Sequence, residues 1–400
     1  MFRVNTDGSG FTTIHSFSAA SDISPINDDG AVPIAGLVLS SNTLYGTASS
    51  GGSGANGTVF SVNADGSGFQ TLHAFSAFTI PFRTNDDGAA PFGGMALAGN
   101  TLYGTTVVGG ILGEGTIFSI HTDGSDFRLM DTNGGPGALI LSSNTFYETT
   151  TFGGSSGNGT VFKVNTDGSV FAILHTFTNG MDGANPHSGL VLSGNTLYGT
   201  ANAGGASGKG TVFKVNSDGS GFATLHSFTN IDGQSPVGAL FLSGSTLYGT
   251  TSLGGSLGGG TVFSISTNGS DFTTVHSFAG GSEGVSPVAG LILSGNTLYG
   301  TTQAGGSWNN GTVFSLSFTP QLVPVRSGAN IVLTWPTNYA GFDYTGYTLQ
   351  FTTNLGSSAV WTPNYFPPVV VDGQNMVTNP ISGTQRFYRL SQWVTPRSQN

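Results

Sequence analysis

Apolar and polar residues alternate along most of the chain with a period near two, in short runs closed by Gly, Asn, Asp or Ser. Around Tyr198 the runs are Gly189–Leu192, Thr196–Thr200, Gly210–Val215 and Phe222–Phe228, each rich in β-branched or aromatic residues. Nothing here carries the 3.6-residue period of an amphipathic helix, so the pattern predicts four short antiparallel strands per unit and excludes a helical solenoid. The unit recurs: Leu-Tyr-Gly-Thr stands at residues 44–47, 102–105, 197–200, 247–250 and 298–301, with Phe146-Tyr147-Glu148-Thr149 as a degraded copy. The tyrosines Tyr45, Tyr103, Tyr147, Tyr198, Tyr248 and Tyr299 are 58, 44, 51, 50 and 51 residues apart. That spacing suits propeller blades, whereas β-solenoid coils are nearer ~20–30 residues. The expectation is an all-β chain whose residues 1–318 form a six-bladed β-propeller of ~50-residue four-stranded repeats, with seven blades or a β-solenoid as alternatives.

The connections carry turn chemistry. Ser193-Gly194-Asn195 and Asp218-Gly219-Ser220 read as tight turns, and Asp-Gly recurs at Asp7, Asp65, Asp123 and Asp167, with Asn268-Gly269 in its place later. The sixth copy ends after Gly311-Thr312-Val313-Phe314 without a fourth strand, while Phe11–Phe17 reads as a fourth strand with no first or second before it. Pairing the two would close the ring by a 3+1 clasp and leave no open edge. Phe2-Arg3-Val4-Asn5 is then a surplus third strand, the sign of a repeat cut at its start.

From about Thr319 the pattern ends and the charge balance reverses: residues 1–318 hold 6 basic and 18 acidic residues, residues 319–400 hold 4 and 2. Asn330–Trp335, Tyr347–Phe351, Val369–Val371 and Arg386–Leu390 predict a small β-sandwich over 319–400, with Trp335 and Trp361 as core anchors. Its Leu333-Thr334-Trp335 strand resembles that of fibronectin type III modules.

Composition narrows the function. Charged residues are only 8% of the chain, the net charge is −10 and the basic residues never cluster, so a nucleic-acid partner is excluded. With no Cys there is no disulfide framework, thiolate metal site or cysteine nucleophile. No apolar run reaches the ~18 residues of a membrane span, and Met1-Phe2-Arg3 opens no signal peptide; a monomer is expected.

In a propeller the fourth-to-first and second-to-third loops open on one face. The former carries an acid-Gly-x-x-Pro element, Asp29 to Pro33, Asp87 to Pro91, Asp182 to Pro186, Asp232 to Pro236 and Glu283 to Pro287. The latter carries Gly-Gly, from Gly51-Gly52 to Gly305-Gly306. Asp29, Asp87, Asp182, Asp232 and Glu283 are thus ligand-binding candidates around one mouth, and Asp28, Asp29, Asp86 and Asp87 are the only acids paired in tandem, a weak Ca²⁺ possibility. The plainer reading is a turn whose carboxylate bonds nearby backbone amides. His15, His73, His175, His226 and His276 share one repeat position. Spread over five blades they cannot meet on one metal, and the expected role is a hydrogen bond to a backbone or hydroxyl partner. His187, outside that register and beside the acidic loop, is a further ligand-binding candidate. The third copy breaks the ring: its loop shrinks to Asn133-Gly134-Gly135-Pro136, Glu148 replaces Gly and Met130-Asp131 stands for His-Ser. Drift explains this, or a notch left for a ligand. No catalytic constellation and no resident cofactor are legible.

The ordered string Asp182-Gly183-Ala184-Asn185-Pro186, Gly189-Leu190, Asn195–Thr200, Gly204-Gly205 and Gly210-Thr211-Val212-Phe213 resembles the GloVer tandem repeat of extracellular bacterial proteins common in Verrucomicrobia. The resemblance covers residues 1–318 and implies a secreted or cell-surface location without a known activity. The expected function is a non-catalytic repeat protein that binds a polysaccharide or protein partner through one propeller face. The alternatives are a propeller glycan lyase or hydrolase using the acidic loops, and a purely structural surface protein.

Overall fold

The computed structural model describes residues 1–18, 26–79, 84–131, 135, 137–339, 342–344, 346–355, 359–364, 366–381 and 385–392. It is all-β; the one helical element among these residues is a 3₁₀ turn, Gly281–Glu283. Two compact units divide the chain: residues 1–242, 247–291 and 301–313 form one, residues 243–246, 292–300 and 314–400 the other.

Sheets of the β-propeller class follow the tyrosines. The first repeat runs Val38–Ser40, Thr43–Ala48, Thr58–Asn63 and Gln70–Ala74 as an antiparallel meander. The second (Ala96–Ala98, Thr101–Thr106, Thr116–His121, Arg128–Asp131) and third (Ile140–Ser142, Thr145–Thr150, Thr160–Asn165, Ala172–Thr176) repeat that order. The fourth and fifth do the same, and the fourth gains an extra short strand, Ala184–Pro186. Third strands of the first five repeats are buried on both faces, Val59, Phe60 and Val62 completely, because a neighbouring sheet covers each side. Tyr45 and Val59 of the first repeat pack with Leu102, Phe118 and Ile120 of the second, and Tyr147 and Val161 of the third pack with Leu197 and Phe213 of the fourth. The Gly of Leu-Tyr-Gly-Thr is dictated by that packing. A Cβ on Gly199 would stand 2.6 Å from Cζ of Phe213, its cross-strand partner.

The predicted clasp does not form. Thr12–Thr13 pairs with Phe2–Arg3 in a two-stranded sheet of its own, and the sixth sheet keeps three strands, Ile292–Ser294, Thr297–Thr302 and Thr312–Ser317. The supposedly surplus strand is the reason: it satisfies the backbone of Thr12–Thr13 at hairpin range, so no exchange with a distant strand is needed. The hairpin instead packs as a partial preceding repeat. His15 stacks on Phe69 at 3.7 Å, as His73 stacks on Phe127 at 3.8 Å.

Beyond residue 318 a four-stranded and a three-stranded antiparallel sheet form. The first joins Val323–Ser327, Asn330–Pro336, Gln374–Pro380 and Val369–Val371; the second joins Thr362–Pro363, Tyr347–Thr352 and Phe387–Gln392. Trp335 is fully buried, whereas Trp361 is half-buried beneath the Arg389 guanidinium at 4.3 Å.

Candidate functional site

Five of the six mouth-side loops are built alike. At the end of each fourth strand the recurrent His meets the acid of the next loop: His15 Nε2 lies 3.0 Å from Asp29, His73 3.0 Å from Asp87, His175 3.2 Å from Asp182, His226 2.9 Å from Asp232 and His276 3.2 Å from Glu283. The same acids accept backbone N–H bonds from Ser18, Ser76, Thr178, Thr229 and Ala279. The imidazole partner is thus a carboxylate of the following loop, not the backbone or hydroxyl group expected from sequence. Each His precedes its acid by 6, 7 or 14 residues, a separation that changes with loop length. Burial pushes the Asp29, Asp87 and Asp182 carboxyls up, but bonds from their serine or threonine and from His outweigh it and hold them below the usual range. Burial lowers His175 and His226 against the pull of their acids. Asp28 and Asp86 are exposed, and among the described residues no three His, Asp or Glu side chains converge as metal ligands would.

The latched acid holds its loop against the Gly-Gly loop of its own repeat. Ala31 and Ser50 exchange backbone hydrogen bonds at 2.7 and 3.0 Å, and Ala89 with Val108, Gln234 with Leu253 and Val285 with Ala304 repeat the bridge. The Thr opening each third strand donates its hydroxyl to the carbonyl of the acid, as Thr58 does to Asp29 and Thr261 to Asp232. Pro91, Pro186, Pro236 and Pro287 then seat on a Gly of the preceding repeat: a Cβ on Gly210 would stand 2.5 Å from Cδ of Pro236. Removing a latch is therefore a stability test. Asp87→Ala is expected to cost about 2 kcal/mol, since it orphans a half-buried His73 and the Ser76 N–H. Urea unfolding measures it; a loss within ~0.5 kcal/mol, that of an ordinary surface position, would deny the latch a structural role.

The third repeat lacks the whole device. Register places Asp131 opposite Ile117 as His73 stands opposite Val59, so Asp131 replaces His and Met130 fills the Leu72 position, one residue earlier than the sequence reading had it. Asn133, Gly134 and Pro136 of the short loop lie outside the described residues. Counting back four residues from Leu139, as from Met95 or Leu190 to Pro91 or Pro186, Gly135 stands where the others have Pro. A pocket of about 420 Å³ lies between the second and third repeats, lined by Val108, Glu114, Phe152, Gly154, Thr160 and Phe171 among others. Phe171 is exposed there, while its equivalents Phe69, Phe127, Phe222 and Phe272 are covered by a stacked His. This pocket has Gly135 of the shortened loop among its lining residues. His187 sits at its border, its Nδ1 3.2 Å from the hydroxyl of Thr151, a lining residue.

Behind Gly135 lies Glu148, fully buried, with no hydrogen-bond partner on either carboxylate oxygen among the described residues. Burial raises its pKa well above the usual range; the nearby Thr105 hydroxyl opposes this weakly, its own proton going to the Gly135 carbonyl at 2.8 Å. The side chain enters where Gly46, Gly104, Gly199 and Gly249 admit no Cβ. In those packings a fourth-strand Phe presses edge-on against the third-strand Phe, as Phe177 does on Phe213 at 5.1 Å; at the third repeat that position is Asn133.

The fold and loop grammar define a propeller-type tandem-repeat protein. The family described as the Gloeobacter/Verrucomicrobia repeat matches residues 1–135 and 135–328, and the chain belongs to it. No curated protein matches the chain. Distant structural likenesses include a chain of the nidogen/laminin complex (13% identity, TM-score 0.43, 65% of this chain and 90% of that one). TolB from Acinetobacter baumannii is another (12% identity, TM-score 0.38, 70% and 57%).

Proposed function

We propose that the chain is a non-catalytic, secreted or cell-surface repeat protein that binds a polysaccharide or protein partner through the loop face of its repeats, with its fibronectin type III-like C-terminal module as a spacer. The observation that carries this reading is the contrast on one face. Five acidic loops are latched by His and backbone amides, and the sixth position is an open pocket lined largely by apolar side chains. Asp29, Asp87, Asp182, Asp232 and Glu283 then serve the partner by holding the rim rigid. A glycan lyase or hydrolase would draw on the same acids, already committed to His partners.

Retention of the full chain on immobilised envelope polysaccharide and protein fractions tests the reading, beside a variant in which residues 131–135 are replaced by the twelve residues 175–186, which restore the His and the acidic loop. Retention of wild type with loss of at least tenfold in the graft is expected. Retention of neither, or of both alike, overturns the proposal.

A further inference from the structure

Successive repeats close on one another through the same few groups, and the two ends of the array each hold only half of the set. At an internal junction the N–H before Pro donates to a carbonyl of the preceding repeat, as Ala90 does to Asn56, Ser235 to Lys209 and Ser286 to Gly259, at 2.9 to 3.0 Å. The N–H of the fourth-strand Phe donates to the adjoining Gly carbonyl, as Phe75 does to Gly57 and Phe228 to Gly210, and the Pro of the next loop covers that same Gly. The N-terminal end carries the donors alone. Its loop is built like the others, with Ala31 and Ser50 exchanging backbone bonds, yet the Phe17 and Val32 N–H groups have no acceptor among the described residues. Pro33 is exposed where Pro91, Pro186, Pro236 and Pro287 are buried, and Leu37 is 40% exposed where Met95, Leu190, Leu240 and Leu291 are 5–6%. The sixth repeat carries the acceptors alone. Among the described residues the Asn310 and Gly311 carbonyls accept nothing, no fourth strand pairs with Thr312–Ser317, and the atoms nearest a Cβ on Gly311 belong to Thr302 and Gln303 in place of a proline. Val313 is 48% exposed, whereas Val59, Ile117, Val161, Val212 and Val262 are completely buried.

Free donors at one end therefore match free acceptors at the other, in the order in which internal repeats join them. An exposed strand edge is a template for another chain, and repeat arrays ordinarily end in a polar cap, which Val313 does not supply. We infer that copies of this chain associate head to tail, the edge Asn310–Val313 of one accepting Phe17 and the Val32-Pro33 turn of the next. Val313 then faces His15 as Val59 faces His73, in the place of Met1, whose amino group donates to the His15 carbonyl at 2.6 Å. The Phe2–Arg3 strand, which pairs with Thr12–Thr13 over two residues, yields to one that pairs over four, the register of Thr58–Ser61 with Gln70–Ala74. Closure within one chain would join the same groups, but Pro33 and Val313 are exposed, so it has not occurred. Such a contact is heterologous, so association continues beyond a dimer until a ring closes, in place of the monomer expected from sequence. It stands apart from the partner binding proposed above.

Sedimentation equilibrium of the full chain from micromolar to millimolar concentration tests it, and the mean mass is expected to climb past that of a dimer. Val313→Lys charges the edge and Pro33→Lys removes the ring that would seat on Gly311. Both change exposed side chains, and each is expected to weaken association at least tenfold. Mixed in equal amounts, the two variants should form a dimer and nothing larger, because one keeps the turn and the other keeps the edge. Hydrogen exchange at the Phe17 and Val32 amides, slowing as the wild-type concentration rises, gives the same answer without any substitution. A mass that stays that of one chain, a mixture that fails to pair, or amides already protected at the lowest concentration, as closure within one chain would make them, overturns the inference.

Discussion

Gly204→Ala is expected to destabilise the protein by about 3–4 kcal/mol and Gly153→Ala by only about 1–2 kcal/mol, although the two glycines hold the same place in successive repeats. Both adopt positive φ, +71° and +88°, so both substitutions carry the strain of a left-handed L-residue, about 1–2 kcal/mol. What separates them is what the new methyl meets. On Gly204 it would stand 2.7 Å from the backbone C and Cα of Gly183, atoms fixed by the latched Asp182 loop; on Gly153 it would stand in the pocket, with nothing within 4 Å. Urea-unfolding midpoints, multiplied by a common slope, measure both. Equal costs would mean that the notch is filled in the folded chain, and the proposed binding site would go with it.

Much of this was legible in the chain itself, for stated reasons. Strand period and the Tyr-to-Tyr spacing gave the repeats, because burial of a second strand on both faces and a Gly beneath a cross-strand Phe demand the same residues each time. The Asp-Gly turns were equally readable: Asp218 accepts the Ser220 N–H at 2.9 Å while Gly219 takes φ +89°. Pairing across repeats was less accessible. The His–acid latch joins two motifs whose separation changes from 14 to 6 residues with loop length, so no fixed spacing announces it. The clasp failed for the same kind of reason, since strand pattern fixes which residues pair well but not which of two available partners is taken. The notch was visible as a deletion, but its lining was not. Phe152, Gly154 and Thr160 are ordinary repeat residues, and nothing in their own identity marks them as lining a pocket.

The third repeat also leaves a signature in the pH dependence of stability. Glu148 is buried without a partner, so the folded state holds its carboxyl neutral well above the ordinary value of 4.5. Below that value the acid is protonated in both states and contributes nothing. Above it the unfolded chain releases the proton while the folded chain retains it, and stability falls steadily as pH rises. His175 and His226 run the other way. Burial lowers both, so stability falls as pH drops below their ordinary value of 6.5 and the unfolded chain takes up protons that the folded chain refuses. Between pH 4.5 and 6.5 the two trends oppose each other in the natural protein. In Glu148→Gly only the histidine trend remains, whatever the change costs in packing. Stability of the variant relative to wild type is therefore expected to rise steadily as pH climbs from 4.5 to 7. Urea unfolding at half-unit pH steps reads this difference directly. A constant difference across that range would show Glu148 ionised in the folded state, with water reaching it past Gly135, and the buried neutral acid would have to be abandoned.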